Sequence, residues 1–482
     1  MFEGFGIKSL QKVPPTARQK QHGFLASMHR KALSALMVSL IGLQPLLLAS
    51  APADAQGRSI KLVRDAETEE LIRDYARPIF EAAGLKSTNI RIHLINDSRF
   101  NAFVVDSKRM FINTGTIIDA KTPNEVIGVI AHETGHIAGG HMIRLREAMR
   151  RAQTIAAIGM LAGAGAMAAG AAAGSPDAAR VGGAVAAGSP GMAQRTFLSY
   201  ARTEETAADR AALRYLAKTG QSAKGMLTTF ERFADQALFS SQYMDPYIQS
   251  HPLPRDRIAQ VENLAKKSKF FNKTDSAALQ QRHDLARAKL AAFTQDPKRV
   301  LRNYKGNDLP SLYAQAIVTY RMGNRNKAVK MIDQLLNAQP NNAYFWELKG
   351  QVYLETGQPD NAVAPLNKAV SLKPNEGILR VMLGQALISS KSNRNYSAAV
   401  THLQRGLQHD PDLAVGYRFL AQAYENLGRR AEAEIATANG YFASGDIASA
   451  KAMAARAQKK LKRGSPEWLQ ADDIMSYKQP KL

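Results

Sequence analysis

The chain has 482 residues, carries 64 Lys and Arg against 41 Asp and Glu for a formal charge of +23, and contains no cysteine. That length excludes a single domain, and the missing cysteines exclude disulfides and thiol catalysis. A balance this basic often serves nucleic-acid binding. The export leader described next excludes nucleic acid and leaves anionic membrane surfaces or acidic proteins as partners.

His29-Arg30-Lys31 precedes an apolar run from Ala32 to about Leu48, and Ala53-Asp54-Ala55 supplies an A-x-A cleavage site. This reads as a secretory signal peptide over 1–55, with Met28 as an alternative start. The apolar run is short and interrupted by Gln44-Pro45, so it does not read as a membrane span. No cysteine follows it to take a lipid anchor. The expected location is the periplasm, in solution or peripherally on a membrane.

Residues 56–265 read as the first folded unit, α+β with a small sheet. Glu67 to Ala83 has the spacing of an amphipathic helix, and Ile90 to Ile95 alternates as a strand. Phe103-Val104-Val105 and Arg109 to Ile112 flank Asp106-Ser107-Lys108 and predict a hairpin, whose outer strand could hold an extended substrate by strand addition. Asn101 and Ala102, just before it, are candidate substrate-binding residues.

Thr122-Pro123-Asn124-Glu125 reads as a capping box with proline at the first helical position, and Val126, Ile127, Val129 and Ile130 give that helix a buried side. His132-Glu133-Thr134-Gly135-His136 follows on the same helix. H-E-x-x-H stacks two imidazoles on one face, where they can bind one zinc ion, with the glutamate beside the open position as general base. A buried pair of histidines is otherwise hard to satisfy.

A catalytic zinc needs a third protein ligand. The H-E-x-x-H-x-x-G-x-x-H pattern fails, because Gly139 fits but Met142 stands where the third histidine belongs. His141 is one residue early and reads as a surface or outer histidine. Glu205 and Asp209, four apart on a later helix, offer the alternative: Glu205 as ligand and Asp209 as acceptor for a ligand histidine's other ring nitrogen. Glu204 is the rival ligand. Between the two helices, Ala152 to Pro176 is uncharged and rich in alanine and glycine, and Ala178 to Gln194 is similar. So much glycine and alanine argues against a membrane span. Gly174-Ser175-Pro176 and Gly188-Ser189-Pro190 read as turns, which predicts a helical hairpin packed over the active site or touching a membrane surface.

His251 stands in Ser250-His251-Pro252-Leu253-Pro254. It is either a surface residue of a rigid turn or an imidazole delivered to the site, where it could stabilise an oxyanion or fill zinc's fourth position. Residues 266–308 read as a basic, partly helical linker. Gly323 and Gly357, Pro340 and Pro374, and Ala328 and Ala362 then recur at the 34-residue tetratricopeptide period, which predicts an all-α solenoid over 309–465 with a tail at 466–482. Such arrays bind extended protein segments.

These residues together resemble the M48 family of gluzincin metallopeptidases, in its periplasmic branch with C-terminal tetratricopeptide repeats. The likeness is carried by His132 to His136, by Ala201-Arg202 with Glu205-x-x-Ala208-Asp209, and by Ser250 to Pro254. Arg64 to Glu67 and Asn101 to Phe103 also match. Ala201 departs from the serine usual there. The resemblance implies one zinc per chain held by His132, His136 and Glu205, with Glu133 activating water. It strengthens His251 as a site residue and places Arg202 and Asp209 around the ligands. It further implies an endopeptidase and chaperone-like factor acting on unfolded or misassembled outer-membrane proteins, contacting the assembly machinery through its repeats. The competing expectation is an adaptor whose peptidase core is latent.

Overall fold

The computed structural model describes residues 61–239, 251 and 255–479, apart from the side chains of 189–197 and 235–239. The leader expected over 1–55 lies outside them, as do Ser250 and Pro252 to Pro254. The expected architecture holds: a mainly helical chain with a small sheet near its start and paired helices to its end.

The sheet has the order β1-β2-β4-β3, from Leu62–Val63, Arg91–Ile95, Ala102–Val104 and Arg109–Asn113. β2 and β4 are parallel, while β3 pairs antiparallel with β4. Asp106 closes the β3–β4 hairpin by accepting from the backbone N–H groups of Lys108 and Arg109, each at 2.8 Å. β3 is left as an edge strand. α1 (Ala66–Ala82) starts on Asp65, which accepts from the Thr68 N–H, and buries Leu71, Ile72, Tyr75, Ile79 and Phe80.

After the short α2 (Thr114–Asp119), α3 (Pro123–Gly139) runs through the middle of this half, buried from Pro123 to Ile137. Pro123 opens it as expected, but the capping box is not made. The Thr122 hydroxyl caps nothing, while Glu125 Oε1 accepts from the Lys121 N–H at 3.0 Å. Glu125 also pairs with Arg232, which draws its carboxylate away from the box.

α4 (His141–Ala172) and α5 (Pro176–Lys218) form the long hairpin, turning at Gly174 with φ +68°. The second expected turn is absent, since α5 continues through Gly188-Ser189-Pro190. One internal proline removes a single backbone donor, and the hydrogen-bond ladder on either side carries the helix across. The apolar residues Ile155, Ile158 and Leu161 of the hairpin are 52%, 60% and 75% exposed, so they are not buried against the described rest of the chain.

α6 (Lys224–Phe239) and α7 (Arg255–Lys266) complete this half. The stretch expected as linker supplies α8 (Ala277–Thr294) and α9 (Pro297–Asn303). Their Leu285, Ala288, Ala292 and Val300 share a core with Tyr313, Ile317 and Ile332 of the repeats. The repeat helices are α10 (Leu309–Arg321) and α11 (Arg325–Ala338), α12 (Ala343–Glu355) and α13 (Pro359–Leu372), α14 (Gly377–Ser389) and α15 (Tyr396–His409), α16 (Ala414–Asn426) and α17 (Arg430–Ala443), then α18 (Ile447–Gln458). Gly350 and Gly384, one period apart, each face a leucine of the partner helix so closely that a Cβ would overlap it. The expected tail instead forms α19 (Pro466–Ser476), which buries Ala471 and Ile474 against the last repeat.

The solenoid packs back on the half that carries the sheet. Arg64, Arg73 and Arg91 pair with Asp410, Glu376 and Asp412. Beneath them Lys289 is buried 2.6 Å from Asp65, 3.0 Å from Glu347 and 3.6 Å from Glu67, whose carboxylate also accepts from the Tyr313 hydroxyl.

Candidate metal centre

α3 and α5 approach unusually closely. A Cβ on Gly135 would stand 2.8 Å from the Ala208 carbonyl oxygen, so only glycine there lets the helices meet. That contact sets Glu205 of α5 against His132 and His136 of α3, and His251 enters from the loop before α7. The four residues are buried, with one donor atom from each lying within 4.8 Å of the others. His132 Nε2 is 3.0 Å from His136 Nε2, 3.3 Å from His251 Nδ1 and 3.4 Å from Glu205 Oε2. Glu205 Oε1 is 3.3 Å from His136 Nε2 and 3.1 Å from His251 Nδ1. Bonds of about 2.0–2.1 Å to a tetrahedral zinc put donors about 3.3 Å apart, so these spacings fit one zinc ion.

The outer ring nitrogens are also engaged. His132 Nδ1 lies 2.9 Å from Asp209 Oδ1. His136 Nδ1 lies 3.0 Å from His141 Nδ1, and His141 Nε2 lies 2.9 Å from Glu204 Oε2. Gly139 makes room for that relay, because a side chain there would overlap the His141 ring. Arg144 holds Glu204 at 2.7 Å. Glu204 is thus an anchor of the relay and not a donor in the cluster.

Arg257 of α7 binds both acids of α5: Nη1 is 2.9 Å from Glu205 Oε2, Nη2 donates to Asp209 Oδ1 at 2.9 Å, and Nε donates to Asp209 Oδ2. Arg202, expected beside the ligands, is exposed and does not join them among the described residues. Residues 202, 205 and 209 share a face of α5 by helical spacing, but the burial of that face begins only at Glu204 and Glu205, one turn past Arg202. Two acids on one buried face require a cation. That was the signal for Arg257, although nothing in the sequence says which arginine supplies it.

Glu133 is fully buried, and both its carboxylate oxygens lack a hydrogen bond among the described residues. Across the cluster, His251 Nε2 lies 3.4 Å from its Oε1. Burial raises its pKa above the usual carboxylate value. Burial also drives His136 down to about 3. For His132, burial opposes protonation but is outweighed by hydrogen bonds to Asp209 and Glu205, which lift it to about 9. Glu205 is held well below the carboxylate range, where the charge on His251 and the imidazole hydrogen bonds overcome desolvation. Asn101 is pinned through its backbone by Thr116, at 2.9 and 2.7 Å. Ala102 is buried on the edge strand opposite Ile112.

Residues 64–265 match the model of peptidase family M48, and residues 343–376 match a tetratricopeptide repeat. The chain carries an M48 peptidase domain. Among curated relatives, the beta-barrel assembly-enhancing protease of Yersinia pestis is 24% identical over 86% of this chain and 84% of its own length. That of Escherichia coli strain K12 is 25% identical over 84% and 82%. A putative beta-barrel assembly-enhancing protease of Vibrio cholerae is 27% identical over 77% and 75%. The solved structure titled MamA 41-end from Desulfovibrio magneticus RS-1 aligns with 33% of this chain and 92% of its own, at 20% identity and a TM-score of 0.30, a likeness too slight to argue from. With the buried four-donor cluster, the M48 match makes the chain a zinc metallopeptidase.

Proposed function

We propose that this chain is a periplasmic endopeptidase that cleaves unfolded or misassembled envelope proteins during outer-membrane protein assembly, with its repeats binding partners. The observation that carries the peptidase reading is the buried constellation of His132, His136, Glu205 and His251 with the unpartnered carboxylate of Glu133 beside it. The client class is supported by three beta-barrel assembly-enhancing proteases that align along most of their own length.

In this reading His132, His136 and Glu205 hold the zinc. A zinc ion there would polarise a scissile carbonyl and lower the pKa of the attacking water. Glu133, kept basic enough by burial and free of competing donors, takes the proton from that water and passes it to the leaving amine. Asp209 orients His132, and the His141–Glu204–Arg144 relay orients His136, each fixing the tautomer that leaves Nε2 free to ligate. Arg257 keeps Glu205 and Asp209 ionised. The edge strand β3 with Ala102 offers backbone groups to an extended substrate, which suits unfolded clients because backbone pairing is tolerant of sequence.

His251 supplies a fourth donor, so the centre is closed and His251 must move aside for substrate. That closure favours the second reading, a chaperone or adaptor whose peptidase is latent at rest. Cleavage of casein with and without chelator tests both. Chelator-sensitive cleavage lost in Glu133→Gln with metal content unchanged supports the peptidase. No cleavage even by the His251→Ala variant would leave only the adaptor.

A further inference from the structure

The outer side of α4 has no protein against it among the described residues. Ile143, Ile155, Ile158 and Leu161 are each more than half exposed, and Val181 and Val185 of α5 are 62% and 49% exposed beside it. The inner side is satisfied by close contact of small residues, where Gly163 meets the backbone of Gly182 and Ala186, and Gly170 meets Ala178 and Ala179. Exposed apolar area on this scale marks an interaction surface.

Charge identifies what covers it. From Ala152 to Pro176 there is none, and immediately before that run α4 carries Arg144, Arg146, Arg150 and Arg151 against the single acid Glu147. Among the described residues, Arg150 and Arg151 make no contact with the sheet or the metal centre, and the one acid near either is Glu147, at a long 4.0 Å from Arg151. An exposed aliphatic stripe bordered by arginines matches the boundary of an anionic bilayer: the side chains enter the acyl edge and the guanidinium groups reach phosphate. α4 is long and apolar enough to cross a membrane, with a mean hydropathy of 1.7 in its most apolar window. Crossing would drag the Asp177–Arg180 pair near the turn through the hydrocarbon, together with the glycine-rich and proline-bearing start of α5. Lying in the interface carries no such cost.

We propose that the α4–α5 hairpin is a membrane-docking device that lies on an anionic phospholipid surface through Ile155, Ile158 and Leu161 with Arg150 and Arg151. The consequence for the site is geometric. α4 begins at His141, which touches His136; α5 carries Glu205; and Arg146 donates to the carbonyl oxygen of Val105 at the end of β3, at 3.0 Å. A hairpin fixed on lipid therefore fixes the edge strand and the metal centre near that surface. This inference is independent of the peptidase reading, because its readout is lipid binding.

The test is flotation of the full mature chain with vesicles of phosphatidylethanolamine and phosphatidylglycerol in equal parts, against vesicles of phosphatidylcholine alone. The wild type floats with the anionic vesicles and about tenfold less with the neutral ones. The Ile158→Glu/Leu161→Glu variant loses about tenfold in anionic-vesicle binding, and Arg150→Glu/Arg151→Glu loses binding that salt also removes in the wild type. Both variants keep their metal content and their helical circular dichroism. Absence of wild-type flotation at low salt overturns the proposal. So does flotation that the glutamate variant leaves unchanged. Lipid-free self-association that the same variant abolishes also overturns it, since the stripe would then belong to a second copy.

Discussion

The two halves of α5 belong to one continuous helix and live in different surroundings. From Glu204 to Leu216 it buries Glu204, Glu205, Ala208, Asp209 and Ala212, and its acids meet an arginine or a histidine. From Val181 to Val185 it leans on α4 through glycine and keeps its valines in the open. The contrast teaches that helix formation and burial are separate matters. Local propensity and backbone bonding build both halves, while tertiary contact anchors only the one that positions a ligand.

The sharpest way to break this comparison is at the chemistry. Glu133→Gln is expected to reduce casein cleavage by about 10²–10⁴-fold while metal analysis still finds zinc. Removal of residues 154–192 is expected to leave zinc content and casein cleavage as they were, and loss of metal on that deletion would show that the exposed half supports the buried one. Next in size, Arg257→Ala strands two buried carboxylates, and the cost should be about 3–5 kcal/mol in chemical denaturation of the metal-free protein. Gly135→Ala follows at about 1–3 kcal/mol, because a methyl group forces α3 from α5, and its zinc affinity should fall with it. Leu161→Glu, on the exposed half, should change stability by no more than about 0.5 kcal/mol.

Acidity extends the contrast, since the uncharged run of the hairpin has nothing to titrate while the peptidase–repeat contact does. Burial raises Glu67 to about 7, only partly offset by Lys289. An acid whose folded-state pKa lies above its unfolded value holds its proton better when folded. Its contribution to stability is therefore complete below about pH 4.5 and lost as pH rises through about 7. Denaturation midpoints should fall across that window, and Glu67→Gln should flatten the decline. Asp65 is shifted the opposite way, with Lys289 and Thr68 overcoming its desolvation, so its loss belongs to lower pH.

The parts of the site carried by short-range pattern were legible in the sequence. His132 to His136 lie within one helix with its start marked by Pro123, and Glu205 with Asp209 occupies a single face, so periodicity alone grouped them. The repeat period exposed the solenoid in the same way. What escaped depended on distance or on context. Arg257 joins its acids from another helix, and Arg202 was assigned by adjacency to them although it stands one turn before the buried stretch and stays exposed. The motif around Gly188 and Pro190 has the composition of a turn, but the helix on either side of it continues through. The segment after 465 looked like a tail because its few apolar residues mean little until a repeat end is there to receive Ala471 and Ile474.

The buried ammonium of Lys289 bears on any attempt to dissect this protein. Its counter-ions come from both sides of the junction, Asp65 and Glu67 from the peptidase half and Glu347 from the repeats. Expressing either half alone would wet this pocket and separate Lys289 from acids on one side of it, so fragments should aggregate or misfold where the intact polypeptide does not. Experiments on the two activities are therefore better served by point substitutions than by truncation.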